Sequence, residues 1–272
     1  MISKLLYKVF HLFSEVLFQA MAKVDNQQFW EKVFELALRK MNFGEGGNIY
    51  QSGELWVLQF ISQQLSNQKQ IVIFDVGANK GEYTLTLTEF FKGNATIYAF
   101  EPSPKAFQYL SNNLKGLDNV VLENLGFSDC KQVKPLFSNE IGSGLASLYQ
   151  RRLQHFGIQM EFVEQVSLST VDSYCKENNI EHIHFLKLDV EGHEIAVLKG
   201  AENMLSSKKI DFIQFEFGGC NIDSRTFFQD FFYLLKDSYQ IYRILKNSLY
   251  PISFYKETYE IFVTTNYLAV KR

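Results

Sequence analysis

Ile73-Phe74-Asp75-Val76-Gly77-Ala78-Asn79-Lys80-Gly81-Glu82-Tyr83-Thr84 is the stretch on which the fold turns. Its first residues read as a buried strand, its glycines as a turn, and Glu82 onward as a helix that starts at once. Gly77 and Gly81 permit positive φ and a close approach of ligand to backbone. The helix N-terminus beyond Gly81 offers free N–H groups. Dinucleotide-binding turns have the form G-x-G-x-x-G around a pyrophosphate. Here the pattern is D-x-G-x-N-x-G, with Asn79 where the middle glycine would be. A side chain at that point crowds a pyrophosphate.

Outward from this turn, strand and helix alternate. Strands are expected at Ile71 to Val76, Thr96 to Glu101, Asn119 to Asn124, Ile183 to Val190 and Asp211 to Phe217. Helices are expected at Gly53 to Leu65, Glu82 to Phe91, Pro104 to Leu114, His193 to Leu205 and Ser224 to Lys236. The strands are apolar on both faces, as in a parallel sheet covered on both sides. The pattern predicts a doubly wound, Rossmann-like α/β fold. Tyr239 to Leu245 and Tyr259 to Val270 have no helix between them, so the last strand is expected to run antiparallel. A seven-stranded sheet ending in a reversed strand is the outline of S-adenosyl-L-methionine (AdoMet) methyltransferases. The stretch from Asp129 to Thr170 breaks the rhythm, being long and polar, and reads as an insertion or lid.

Ligands of open α/β sheets sit beyond the carboxyl ends of the strands. Glu101, ending the second strand 20 residues beyond Gly81, can accept both hydroxyls of a ribose. That serves NAD and AdoMet equally. Asp75 repels phosphate but suits a cationic ammonium or sulfonium, and Asn79 can bond the amino-acid end of AdoMet. Asp189 and Glu191, in Lys187-Leu188-Asp189-Val190-Glu191-Gly192-His193-Glu194, share that rim with Glu216. Three acids and His193 at one mouth can deprotonate a hydroxyl or hold a divalent cation.

These blocks resemble the FkbM family of AdoMet-dependent methyltransferases. The likeness rests on D-V-G-A-N-x-G-x-x-T at 75 to 84, E-P-S-P at 101 to 104, K-L-D-V-E-G-H-E at 187 to 194 and V-L-K-G-A at 197 to 201. Ser52-Gly53-Glu54 and Ser169-Thr170-Val171-Asp172 extend it. The resemblance implies O-methylation of a hydroxyl on a sugar, glycan or secondary metabolite. It also implies that Asp75, Gly77, Asn79 and Gly81 hold the methionine moiety and Glu101 the ribose. Thr84, Ser103 and Asn124 complete the expected cofactor site. The expected base is Asp189, Glu191 or His193, in that order. Glu216, Arg151, Arg152 and His155 are candidate substrate contacts. No dedicated metal site is expected, although the acids leave a divalent cation open.

The 272 residues fit one large domain plus an extension, with boundaries expected at 1–50 and 51–272. A net charge of −3 without a basic cluster argues against a nucleic-acid substrate. Three cysteines without C-x-x-C spacing argue against structural zinc or a disulfide framework and fit a reducing cytosol. Met1 to Ala22 reads as an amphipathic helix, because Lys8, His11 and Glu15 interrupt any signal-peptide core and no uncharged run is long enough for a membrane span. Gln27 to Met41 reads as a second such helix. Together they offer a surface for homodimer formation. Two other readings remain: an NAD-dependent oxidoreductase acting on a sugar nucleotide, and a non-catalytic binding module.

Overall fold

The computed structural model describes residues 24–45 and 49–272. The expected helix over Met1 to Ala22 lies outside the described residues. The chain divides after Phe43. In the N-terminal unit, α1 spans Gln27–Lys40, and Arg39 and Lys40 fall in its last turn, where cations favour the helix dipole. Leu38 is buried, whereas Phe29, Val33 and Phe34 are exposed.

The second unit, Gly44–Arg272, carries the alternating elements. The helix expected from Gly53 starts earlier and is interrupted, as α2 (Ile49–Ser52) and α3 (Glu54–Gln64). There follow β1 (Ile71–Val76), α4 (Glu82–Phe90), β2 (Ala95–Phe100), α5 (Pro104–Asn113) and β3 (Val120–Glu123). Next come β4 (Gly126–Phe127), β5 (Gln132–Ser138), β6 (Phe162–Ser169), α6 (Val171–Glu177) and β7 (Ile183–Leu188). The single helix expected over His193 to Leu205 breaks at Gly200 into α7 (Glu194–Lys199) and α8 (Glu202–Ser206). After β8 (Ile210–Phe217), the helix expected over Ser224 to Lys236 is likewise two, α9 (Cys220–Ser224) and α10 (Phe228–Leu235). The chain closes with β9 (Tyr239–Leu245), β10 (Ser248–Ile252) and β11 (Thr265–Lys271).

The main sheet has eight strands, not the expected seven, in the order β10-β9-β11-β8-β7-β1-β2-β3. β8, β7, β1, β2 and β3 are mutually parallel. β11 slots between β8 and β9 and runs antiparallel to both, so the reversed strand is present. The extra strand is β10, which hairpins back on β9 at the edge. Its residues, Ser248-Leu249-Tyr250-Pro251-Ile252, carry a proline of the kind sheets admit only at an edge.

Alternate residues of the parallel strands feed the two faces. Ile73 and Phe185 pack with Val57, Leu58 and Ile61 of α3 and Leu87 of α4. Phe74 and Leu186 pack with Val197 and Leu198 of α7 and Phe231 of α10. Each fully buried side chain of this kind contributes roughly 1.5–3 kcal/mol. Of Phe227, Phe228, Phe231 and Phe232, whose helical spacing predicts core, the last three are buried and Phe227 is exposed.

The stretch from 129 to 170 departs furthest from expectation. It is not a loop but most of a second sheet, in the order β4-β6-β5, whose β5–β6 arms pair antiparallel from Gln132↔Leu168 to Ser138↔Phe162. Leu136, Val166 and Leu168 bury its inner face, with the polar Gln165 and Ser167 alternating on β6 and Pro135 and Phe137 flanking Leu136 on β5. Residues 139–161 form the connection at its tip, and a short 3-10 turn, Gln154–Phe156, lies within it. Among the described residues no helix is long and apolar enough to cross a membrane. The three cysteines are free, with Cys130 exposed and Cys175 and Cys220 buried.

Candidate active site

The carboxyl ends of β1, β2, β7 and β8 meet the tip of the second sheet around two adjoining cavities. Gly77, Asn79, Gly144 and Asp189 line both. On the β2 side, the first is walled by Glu101, Pro102, Phe127 and His193. The second, of about 650 Å³, is walled by Tyr83, Glu54, Lys187, Glu216 and Asn266.

The turn after β1 is shaped by its packing. Gly77 has φ +86°, and a Cβ there would lie 1.8 Å from the carbonyl oxygen of Asp189, which is itself tied to Val76 by its N–H. No side chain fits. At Gly81 (φ +90°) a Cβ would press on Leu110 of α5 and on Leu114 at its C-terminal cap. Asn79 also takes positive φ, +48°, which asparagine tolerates better than most residues. Its backbone N–H donates to Glu101 Oε2 at 2.9 Å, and the N–H of Ser103 donates to Oε1 at 2.8 Å. Glu101 is therefore held at both oxygens by backbone, and each oxygen keeps a lone pair for a ligand hydroxyl. Burial pushes its carboxyl up to about 7, against the pull of those two N–H groups. Asn79 Oδ1 is buried without a hydrogen-bond partner at the fork between the cavities. An orphaned buried acceptor costs free energy unless a ligand supplies the donor.

Asp75 is not on the cavity surface. It is fully buried, accepts a 2.6 Å hydrogen bond from Thr84 and faces Lys187 Nζ at 3.6 Å. Lys187, in register with Asp75 on the next strand, also pairs with Asp189 at 3.0 Å and lies over the Tyr83 ring at 4.3 Å. Burial pushes Asp75 up and would lower Lys187, but Asp189, Asp75 and Glu54 outweigh it and raise the ammonium. Asp75, expected to hold the methionine moiety, and Thr84, expected in the cofactor site, thus bond each other beneath the turn, and neither lines the two cavities. Ser103 and Asn124, also expected in the cofactor site, line neither cavity. Ser103 Oγ caps α5 and donates to Glu164, while Asn124 is exposed and spends its amide on the carbonyls of Glu101 and Pro102.

The β7–β8 side is crowded with acid. Carboxylate oxygens of Asp189, Glu191 and Glu216 lie within 4.8 Å of one another, an oxygen set that a hard cation could use. Glu216 is pushed well up by burial and then by Asp189, Glu191, Glu194 and Glu54. Burial and Asp189 push Glu191 up to about 8, against Arg151, whose Nη1 lies 2.5 Å from its Oε2. Glu194, fully buried, accepts from the N–H groups of Val190 and Gly192, and burial raises it to about 7. Asp189 alone of the three cavity acids is exposed.

His193 has both ring nitrogens engaged: Nδ1 with Tyr149 Oη and Nε2 with Ser128 Oγ, each at 2.9 Å. Burial lowers it to about 4, so it is neutral at pH 7. Of the expected substrate contacts, Glu216 lines the acid cavity and Arg151 is bound to Glu191. Arg152 and His155 are exposed beyond the cavities, His155 against Phe156. Sequence reasoning missed Tyr149, Ser128 and Glu54 as site residues and quoted Lys187 only as part of a motif. One signal for Lys187 was a lysine inside Ile183–Leu188, a strand buried throughout. His182 and His184 are structural, bonded to Asp211 and to the N–H of Val72.

The chain is similar to known proteins. The Methyltransferase FkbM domain family matches residues 75–245, more than half of the chain. The hexuronic acid methyltransferase AglP of Haloferax volcanii is 25% identical over 170 residues, covering 61% of this chain and 64% of its own length. The 2-O-methyltransferase NoeI of Sinorhizobium fredii is 25% identical over 154 residues, covering 53% of this chain and 63% of its own. The chain thus spans less than two thirds of the length of these curated relatives. A crystal structure of methyltransferase FkbM from Methylobacillus flagellatus aligns over 74% of this chain and 44% of that one, with 19% identity and a TM-score of 0.46. The chain belongs to the FkbM methyltransferase family.

Proposed function

We propose that the protein is an AdoMet-dependent O-methyltransferase whose acceptor is a hydroxyl on a sugar, glycan or secondary metabolite. The observation that carries this reading is the fork at Asn79. A buried acceptor without a donor stands between a cavity holding Glu101 and one lined by Asp189 and Glu216. A ligand with a ribose at one end and a cationic amino-acid end at the other matches both sides. The pyrophosphate of NAD would meet carboxylates instead, and Asn79 fills the space it needs.

AdoMet, when bound, supplies a methyl group on sulfonium for in-line displacement by the acceptor oxygen. Glu101 would orient the ribose and Asn79 Oδ1 would accept from the ammonium. Alignment of this kind is worth up to about 7–11 kcal/mol in the best intramolecular reactions. An alcohol is a poor nucleophile at pH 7, and a positioned base adds typically ~10²–10⁴-fold. Asp189 is the base we favour, because it is exposed to the cavity and Lys187 holds one of its oxygens. A hydroxyl fits better than a carboxylate acceptor, since both neighbouring cations are already paired, Lys187 with Asp75 and Asp189 and Arg151 with Glu191. AglP acts on a hexuronic acid and NoeI is a 2-O-methyltransferase by name, so the relatives frame the same choice.

The test is methyl transfer from labelled AdoMet to paired acceptors, neutral sugars against their uronic acids, with and without EDTA. Labelled ether product from neutral sugars, insensitive to EDTA, supports the reading. Methyl ester formed only on the uronic acids contradicts the hydroxyl assignment. Loss of turnover in EDTA, restored by Mg²⁺ or Ca²⁺, assigns the acids to a cation that acidifies the hydroxyl.

A further inference from the structure

The segment 143–152, at the tip of the second sheet, roofs the nucleoside-side cavity with Ser143, Gly144, Ala146 and Leu148. It is fastened to the turn after β7 at three points. Ser147 Oγ, fully buried, donates to the carbonyl of Glu191 at 2.7 Å. Tyr149 Oη meets His193 Nδ1, and Arg151 pairs with Glu191 Oε2. A Cβ on Gly144 would lie 3.0 Å from Asn79 Nδ2, so the roof also comes down on the fork itself.

The hydrogen bonds behind His193 define its tautomer. Gln132 donates to Ser128 Oγ at 3.1 Å, and Ser128 donates its one hydroxyl hydrogen to Asp129 at 3.0 Å. Ser128 Oγ then accepts from His193 Nε2–H, which leaves Nδ1 as the acceptor for the Tyr149 hydroxyl. Every donor in the chain from Tyr149 to Asp129 has a partner. No ring nitrogen remains to take a proton from substrate, so His193 works as an anchor and not as a base.

We propose that Tyr149, Arg151 and His193 are positioning residues that latch the 143–152 strap over the nucleoside cavity and thereby set the rate at which cofactor leaves. This rests on the AdoMet reading above, and it assigns residues from outside the main sheet to cofactor retention. Closing the cavity needs no new fold, because the strap hangs from the two arms of the β5–β6 hairpin, Ser147 bridges Phe137 of β5, and the strap's side-chain bonds to the main domain meet one short turn.

Two measurements on wild type, Tyr149→Phe, Arg151→Met and Arg151→Lys test it. The first is the rate of trypsin cleavage at Arg152, which is exposed beside the latch and present in all four proteins. The second is the dissociation rate of S-adenosylhomocysteine (SAH) by stopped flow. Loss of the tyrosine hydroxyl should speed dissociation about two- to tenfold, the loss expected for one hydrogen bond. Arg151→Met should speed it by about tenfold, since it leaves the half-buried Glu191 carboxyl without its partner, and Arg151→Lys should recover part of that loss. Cleavage at Arg152 should accelerate in the same order, and bound SAH should slow it. Melting temperatures serve as the control, because a merely structural contact would lower them and leave the dissociation rate unchanged. Unchanged cleavage and unchanged dissociation in Tyr149→Phe and Arg151→Met would overturn the latch. Faster cleavage with no SAH bound by any of the four proteins would overturn the cofactor reading, and the strap's role in retention with it.

Discussion

The two sides of the cleft hold their functional groups in opposite ways. On the β1–β2 side the backbone does the holding: Glu101 is fixed by the N–H groups of Asn79 and Ser103, and Gly77 is set by the Asp189 carbonyl. On the β7–β8 side, side chains hold side chains: Lys187 against Asp75 and Asp189, and Arg151 against Glu191. A backbone-built site tolerates little change in shape but much in charge. A side-chain-built site has the reverse weakness, since removing one partner leaves a like-charged cluster unbalanced. Binding and chemistry should therefore fail separately when the two sides are mutated.

Gly77→Ala is the harshest way to break the first side. It combines positive φ with a clash against backbone, and we expect a loss of more than about 4 kcal/mol, at the upper end of single substitutions. Thermal or urea unfolding would show it, and a protein that melts normally would refute the packing account. Asp189→Asn breaks the other side without changing its shape. Turnover should fall ~10²–10⁴-fold, the usual contribution of a general base, while affinity for SAH, whose ammonium keeps Glu216 and Asn79, falls by less than about tenfold. If affinity collapses together with turnover, the two sides are not separable.

Glu101→Ala should do the converse and weaken SAH binding by ~10–100-fold, as expected for charge-assisted hydrogen bonds worth about 1.5–3 kcal/mol. Glu194→Gln sharpens the contrast through stability. Burial raises this carboxyl to about 7, so its neutral form favours the fold below the ordinary carboxylate pKa, and that advantage is lost as pH rises through 7. The variant should be the more stable protein by ~1–3 kcal/mol at pH 8 and no more stable near pH 4. Melting curves at both pH values check it. The smallest expected effect concerns His193, which is already neutral above about 4. The pH dependence of kcat/KM should show no limb between 5 and 8 that His193→Asn removes.

The same division explains what was legible in the sequence. β1 matches its expected bounds because Ile71 to Val76 is apolar nearly throughout and must be buried on both faces. The turn and Glu101 follow from that strand by spacing alone. Asp75 misled because an acid at a strand end looks like a ligand contact. Its partner Lys187 lies 112 residues away, and only the β1–β7 register brings them together. The second sheet was hidden for a related reason. Only Leu136, Val166 and Leu168 mark its inner face, and its pairing spans a 23-residue connection that reads as polar loop. Tyr149 and Ser128 acquire a role only through that pairing, so no local pattern could have found them.

The central claim is that the fork at Asn79 receives a cationic nucleoside and not a dinucleotide. Calorimetric titration of the protein with AdoMet and SAH, with NAD in parallel, tests it most directly. The account predicts micromolar binding of AdoMet and SAH, weakening of both by ~10–100-fold in Glu101→Ala, and no heat from NAD. Binding of NAD, or silence from AdoMet and SAH in a folded protein, would contradict it.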